Sequence, residues 1–267
     1  MSKKRNKIKL GKITADAMAI KHQRDLAMPT IFEALLEILT NSDDAYESLN
    51  NSLNYLGDVR IEYDRGGKKN PTILRVKDKA IGMDFNQMKD KLMTYHKKTS
   101  TTSRSFFGRG LRDVTALGDV KVSSIKDGLF SEVVMSQDLN VIANASNEKP
   151  TKDETRYLGT KKHGTTIEVT IPAGSKSQYN PLVETIINTL PRHYALSRVL
   201  HSKNKTLNLN IIADKTDTKL VYIEPDGELV YEGKIEIPKY KTFSKFKLFK
   251  LKNLIEENYP EAFRTTG

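Results

Sequence analysis

The sequence predicts an α+β layered fold built on a largely antiparallel or mixed sheet. Three observations carry that prediction. Helical and strand-like stretches are interspersed, several strands come in pairs joined by tight-turn residues, and the strict βαβ alternation of a parallel sheet is missing. A Rossmann or P-loop domain is disfavoured, because neither G-x-x-x-x-G-K-[ST] nor a G-x-G-x-x-G at a strand-to-helix turn occurs.

Pro29 suits a first helical turn, and Ile31, Leu35, Ile38, Leu39, Ser42 and Ala45 then recur at helical spacing, which predicts a helix to about Leu49. Two strand-like runs, 58–63 and 72–77, flank RGGKKNP, whose Gly-Gly and Asn-Pro pairs signal a turn; together they predict a hairpin ending at Asp78. A short helix is expected over 85–93. The next stretch, HKKTSTTSRSFFGRG, is polar, hydroxyl-rich and basic with no sustained period, as expected of a mobile loop or lid. Runs 120–125 and 129–135 flank Lys126-Asp127-Gly128, a hairpin signal because Asp-Gly tolerates the positive φ of tight turns. Further on, 163–171 reads as a strand with Ile167, Val169 and Ile171 alternating, 181–196 as a helix and 207–212 as a strand. Runs 219–223 and 229–237 flank Pro225-Asp226-Gly227 and predict a second hairpin. The mixed aromatic and basic run KYKTFSKFKLFK fits an alternating, half-buried strand better than a base-stacking surface.

The absence of cysteine removes disulfides, thiolate zinc sites and cysteine nucleophiles together. His22, His96, His163, His193 and His201 show no metal-ligand spacing. The N-terminus, MSKKRNKIKLGK, is charged where a signal peptide would be apolar, and no apolar run approaches ~18 residues. A soluble, cytoplasmic protein without membrane contact is the expectation. The formal net charge of +11, with a pI near 9.5, points to anionic partners: nucleotide, nucleic acid or an acidic protein surface. The excess gathers at Lys3, Lys4, Arg5, Lys7 and Lys9, over 97–112, and in the lysines of 234–252.

Glu33, Glu37, Asn41 and Asp44 are spaced four, four and three residues apart, so they share one stripe of the first long helix. Such a stripe is ordinarily the wet face of an amphipathic helix. Here its surroundings, FEALLEILTNSDDAYESL, carry Glu-x-x-x-Asn-Ser-x-Asp-Ala and resemble the Bergerat-fold (GHKL) ATPase superfamily of gyrase, the heat-shock chaperone ATPases, histidine kinases and MutL. RVKDKAIGMD resembles that family's Asp-x-Gly-x-Gly loop, with Ala80 in place of the first glycine. SFFGRGLRD resembles its Gly-x-x-Gly-x-Gly at the lid's end, with Ser105 in place of the first glycine, and HGTTIEV its Gly-Thr pair at Gly164 and Thr165.

The resemblance covers about 25–200 and implies a two-layer sandwich with helices on one face of the sheet. It makes Glu37 the general base that activates water and Asn41 the magnesium ligand, an i,i+4 arrangement suited to a base within ~3 Å of its water and an oxygen ~2.1 Å from magnesium. Asp44 joins the nucleotide site; Asp78 accepts from the adenine amino group; Gly82 and Met83 line the base, and Thr165 closes the pocket. Gly108, Arg109 and Gly110 expose amides to the phosphates, and Lys98 is the favoured lid cation for the γ-phosphate. The implied cofactors are ATP and Mg2+. The activity expected is slow ATP hydrolysis that drives lid closure and an ATP-dependent homodimer, with a nucleic-acid or protein client left open. Glu37 favours a hydrolase over a histidine-kinase-like phosphotransferase; a non-hydrolysing, ATP-sensing nucleic-acid-binding module is the remaining alternative. Among hydrolases, the basic surface and FGRGLR look nearer to MORC and MutL-like members than to chaperones. Residues 1–200 are expected to form the ATP-binding domain, with a basic tail and a lid at about 94–110. Residues 201–267 would supply its final strands or begin a transducer-like second domain, and the ending EAFRTTG leaves open whether the chain is a fragment.

Overall fold

The computed structural model describes residues 8–12, 17–49, 55–93, 110–202, 205–224, 227–237 and 242–251. In chain order they form β1 (Ile8–Lys12), α1 (Ala17–Ala27), α2 (Ile31–Glu47), β2 (Tyr55–Asp64), β3 (Thr72–Asp78), α3 (Phe85–Met93), α4 (Gly110–Asp113) and a 3-10 turn at Val114–Ala116. There follow β4 (Asp119–Lys126), β5 (Leu129–Met135), β6 (Asn140–Glu148), α5 (Lys152–Leu158), β7 (Gly164–Ile171) and α6 (Val183–Thr189). After a 3-10 turn at Leu190–Arg192 come α7 (Tyr194–Leu200), β8 (His201–Ser202), β9 (Lys205–Ala213), β10 (Thr216–Leu220), β11 (Gly227–Ile237) and β12 (Thr242–Leu251).

Ten strands make one mixed sheet in the order β1-β6-β5-β4-β7-β3-β2-β9-β10, with β8 also paired to β9; β11 and β12 form a separate antiparallel pair. β2 and β9 run parallel, and the other neighbouring pairs described in this sheet are antiparallel. The α+β, two-layer reading holds.

The two faces of the sheet are chemically opposite because strand side chains alternate. Val59, Ile61, Leu74, Val76, Val120, Val122, Ile167 and Val169 join the buried face of α2 in one core. α2 starts with a capping box, in which Thr30 and Glu33 each satisfy the other's backbone N–H. Its Ile31, Leu35, Ile38, Leu39 and Tyr46 then recur at helical spacing and are fully or almost fully buried. Each buried Ile or Leu contributes about 1.5–3 kcal/mol. The other face carries a ladder of directly opposed residues, Glu62–Arg75–Glu168–Lys121, across β2, β3, β7 and β4. α5 covers part of this second face, with Leu158 packed against Ile125, Phe130 and Ala145.

Two expectations are corrected. The single helix over 181–196 is split into α6, a 3-10 turn and α7, and Pro191 lies in the break, where it can donate no backbone hydrogen bond. The hairpin expected across 219–237 does not form. β10 pairs with β9 through Asp214 and Lys215, both at positive φ, while β11 pairs with β12. Periodicity in short runs identifies a strand but not its partner. The hairpin at Asp127-Gly128 forms as expected, with both residues at positive φ. The expected lid at 94–109, including Lys98, Gly108 and Arg109, lies outside the described residues.

Candidate functional site

α2 presents Glu37 and Asn41 one turn apart, and the Asn41 amide donates to the Glu37 carboxylate at 3.2 Å. With its nitrogen so engaged, the amide keeps its carbonyl oxygen as an acceptor. α4 begins at Gly110, directly against this pair, and a Cβ at position 110 would collide with the Glu37 carboxylate. A side chain at position 110 would therefore have to turn the Glu37 carboxylate, the free end of a flexible side chain, out of its present place. Burial raises the Glu37 pKa, the Asn41 hydrogen bond opposes that rise, and the nearby charges of Asp113 and Asp44 add to it.

One residue further along α2, Ser42 faces inward and donates to Asp78 Oδ2 at 3.2 Å. Asp78 ends β3 almost completely buried, and its Oδ1 accepts from the backbone N–H groups of Ala80 at 3.0 Å and Thr165 at 3.2 Å. Burial pushes its pKa up to about 6, against the hydrogen bonds from Ala80, Ser42 and Thr165 and the charge of Lys91, which favour the carboxylate. Ala80, standing where the resemblance places glycine, is buried and does not have positive φ, so its side chain imposes no backbone strain. Gly82 does need to be glycine: its φ is +70°, and a Cβ would strike the Ile125 carbonyl. Met83 follows, and its N–H donates to Ser124 Oγ at 2.8 Å.

Ser124, on β4, joins the segments around this pocket. It donates to the Gly164 carbonyl at 2.9 Å and lies 3.1 Å from Thr165 Oγ1. Tyr46 plays a similar part behind Asp78. Its hydroxyl accepts from the N–H of Lys79 at 3.0 Å and donates to the Asp58 carbonyl at 2.7 Å. Burial, the leading cause, pushes the Tyr46 pKa up to about 12.

Of the residues expected at the site, the described ones are brought together in two groups: Glu37, Asn41 and Gly110 in one, and Asp78, Gly82, Met83 and Thr165 in the other. Asp44 lies between them electrostatically, acting on both Glu37 and Lys91. Glu33, on the same helical stripe, belongs instead to the cap of α2, where it accepts from the Thr30 N–H at 3.0 Å. Among the described residues no group of three or more His, Asp or Glu is placed to hold a metal. The donor set, an amide oxygen beside carboxylates, fits a magnesium ion that arrives with nucleotide phosphates and keeps much of its water.

Sequence reasoning did not single out Ser42, Tyr46, Lys91, Asp113 or Ser124 as site residues. Ser42 and Tyr46 lie within or beside the motif itself and were legible there. Ser124 and Asp113 carry no local signal, because their partners are distant in the chain or belong to another element.

Residues 29–165, slightly more than half of the chain, match the family described as histidine kinase-, DNA gyrase B-, and HSP90-like ATPase. The chain belongs to this family. As a member it has a GHKL-type ATP-binding domain, and membership supports ATP binding and hydrolysis. A comparison with curated proteins finds no match. No helix among the described residues is long and apolar enough to cross a membrane.

Proposed function

We propose that this protein is a magnesium-dependent ATP hydrolase in which Glu37 is the general base. The observation that carries the reading is the setting of Glu37: part-buried, one turn from Asn41, beside Asp113 and closed over by Gly110, with its pKa raised. A carboxylate whose pKa is raised is a stronger proton acceptor towards water than an ordinary surface glutamate.

In this reading Asp78 accepts from the adenine amino group, since its buried oxygens are supplied by donors that keep it an acceptor. Gly82 and Met83 border the base, Thr165 closes the pocket, and Asn41 and Asp44 face the metal-bound phosphates. Magnesium supplies charge neutralisation on the phosphate oxygens. On the resemblance alone, Gly108, Arg109 and Gly110 receive the phosphates and Lys98 meets the γ-phosphate. Contacts of that phosphate with a closed lid bias the chain towards closure and an ATP-dependent dimer by the energy of those contacts. β8, β9 and β10 belong with the ATP-binding unit through their place in the main sheet, whereas β11 and β12 pair only with each other among the described strands and are assigned to a second unit.

The test is phosphate release from Mg–ATP by the full chain at several concentrations, beside Glu37→Ala and Asn41→Ala. We expect Glu37→Ala to lose turnover by at least about a hundredfold while still binding ATP. Asn41→Ala should lose turnover together with the magnesium dependence of binding. Magnesium-dependent ATP binding that survives Asn41→Ala, or native turnover that survives Glu37→Ala, contradicts the assignment.

A further inference from the structure

The short helix that presses on Glu37 is tied to the N-terminal helix of the chain. Arg24, near the end of α1 and only 6% exposed, directs Nη1 to two acceptors, the Thr115 hydroxyl at 3.1 Å and the Gln137 carbonyl at 2.6 Å. Thr115 is fully buried in the 3-10 turn after α4 and passes the bond on, donating its hydroxyl hydrogen to the Arg112 carbonyl at 2.5 Å. Arg112 belongs to α4, whose first residue, Gly110, lies against the Glu37 carboxylate. Gln137, in the turn between β5 and β6, is itself anchored, its N–H donating to the Asp119 carboxylate at 2.9 Å. One buried guanidinium thus joins α1, the root of the expected lid and a turn of the sheet.

Chain mechanics make this junction consequential. α4 has four residues, too few to be stable by its own hydrogen bonds, so its position is set by what it packs on. α1 and α2 both touch it. A guanidinium is also an expensive group to bury, and its rigid planar donors reward one geometry of acceptors. Lysine at position 24 could keep the charge but not the fixed direction of the Nη1 bonds.

We propose that Arg24 is a positioning residue for ATP hydrolysis: acting through Thr115, it holds α4 and Gly110 against Glu37, so that docking of α1 sets the turnover rate without governing adenine binding at Asp78. The inference rests on the reading of Glu37 as the base. It makes the N-terminal segment a control element, because whatever displaces α1 removes Arg24 from Thr115.

The test compares Arg24→Lys, Thr115→Val and Thr115→Ser with the native full chain. It reads kcat, ATP affinity by calorimetry, and hydrogen–deuterium exchange of amides 110–116 without nucleotide. Thr115→Val keeps the shape and removes the hydroxyl, while Thr115→Ser keeps the hydroxyl. Arg24→Lys and Thr115→Val are expected to lower kcat about tenfold, a barrier change of about 1.4 kcal/mol, with ATP affinity within about twofold and faster exchange confined to 110–116. Thr115→Ser should remain near native. Native kcat in Thr115→Val overturns the proposal, as does a kcat loss matched by an equal loss of affinity and a general rise in exchange, which marks mere loosening. A native chain that turns over while Thr115→Val turns over equally sinks this inference alone. A native chain with no turnover removes the proposed function, and this inference with it.

Discussion

In one of the two groups Asp78 is almost fully buried and receives two backbone N–H groups and a serine hydroxyl from three separate parts of the chain. In the other group Glu37 is only part-buried, has one side-chain donor, and is bordered by a four-residue helix. The first arrangement is preorganised by strand ends and can change little without breaking several bonds. The second depends on where a small neighbouring element sits. The contrast teaches that the two groups are held differently: sheet ends fix the surroundings of Asp78, whereas the surroundings of Glu37 depend on the packing of α4, so on the proposed roles recognition and turnover should be separable by mutation.

The largest expected effect comes from Asp78→Asn. The amide oxygen can still take the Ala80 and Thr165 N–H groups, but on the proposed adenine role the NH2 would meet the adenine amino group donor to donor. ATP affinity should fall about a hundredfold, the loss of a charge-assisted bond plus an unpaired donor, while the fold is retained. Calorimetry with ATP reads this directly, and affinity within threefold of native would break the assignment.

Gly110→Ala tests the other end. Its Cβ overlaps the Glu37 carboxylate, the free end of a flexible side chain, so that side chain turns aside at small cost in stability and the displaced base should lower kcat about thirtyfold. In a Glu37→Ala background the same substitution should have no further effect on stability, and a double-mutant cycle measured by denaturant unfolding checks this.

A pH series sharpens the comparison. Asp78 holds its proton up to about pH 6 in the folded chain, above the ordinary carboxylate value of about 4 in the unfolded chain. The native state therefore binds more protons over that interval, so this group's contribution lowers stability as pH rises from about 4 to 6 and then levels off. If Asp78 is the adenine acceptor as proposed, ATP affinity runs the other way and should rise about tenfold from pH 5 to pH 7 as the ionised fraction grows. Asp78→Asn should flatten both dependences.

The smallest effect is on the far face of the sheet. Burial works against the Glu168 carboxylate, but hydrogen bonds and charge from Lys121 and Arg75 outweigh it and hold its pKa below the usual value. Its contribution has the opposite sign to that of Asp78: present at neutral pH and lost on acidification. Glu168→Gln should cost about 1–3 kcal/mol in denaturant unfolding at pH 7 and leave kcat and ATP affinity unchanged. A change in turnover would show that the two faces of the sheet are coupled.

α2 and the site residues on it were legible in the sequence because a helix converts spacing into direction: Glu37, Asn41 and Ser42 are placed by the backbone alone. The hairpin at Asp127-Gly128 was legible for a similar reason, since positive φ is a local demand. Strand partners were not. β10 turns back on β9, and β11 goes to β12, although Pro225-Asp226-Gly227 looked like a turn between the strands on either side. The α5 helix, with its capping box at Thr151 and Glu154 and a left-handed Gly159, had readable end signals, but its seven residues are too short for periodicity to declare.

The sequence by itself determined the identity of the nucleotide motifs, the helix that carries Glu37 and Asn41, and the acid at the end of β3, because each depends on residue type and near-neighbour geometry. Tertiary structure alone decided that Ser124 would join Met83 and Gly164, each about forty residues away in the chain, that Gly110 would close on Glu37, and that Arg24 would reach Thr115 and Gln137. Those contacts are made between segments distant in the chain, and they exist only once the sheet order and the packing of α1, α2 and α4 have brought their backbones together.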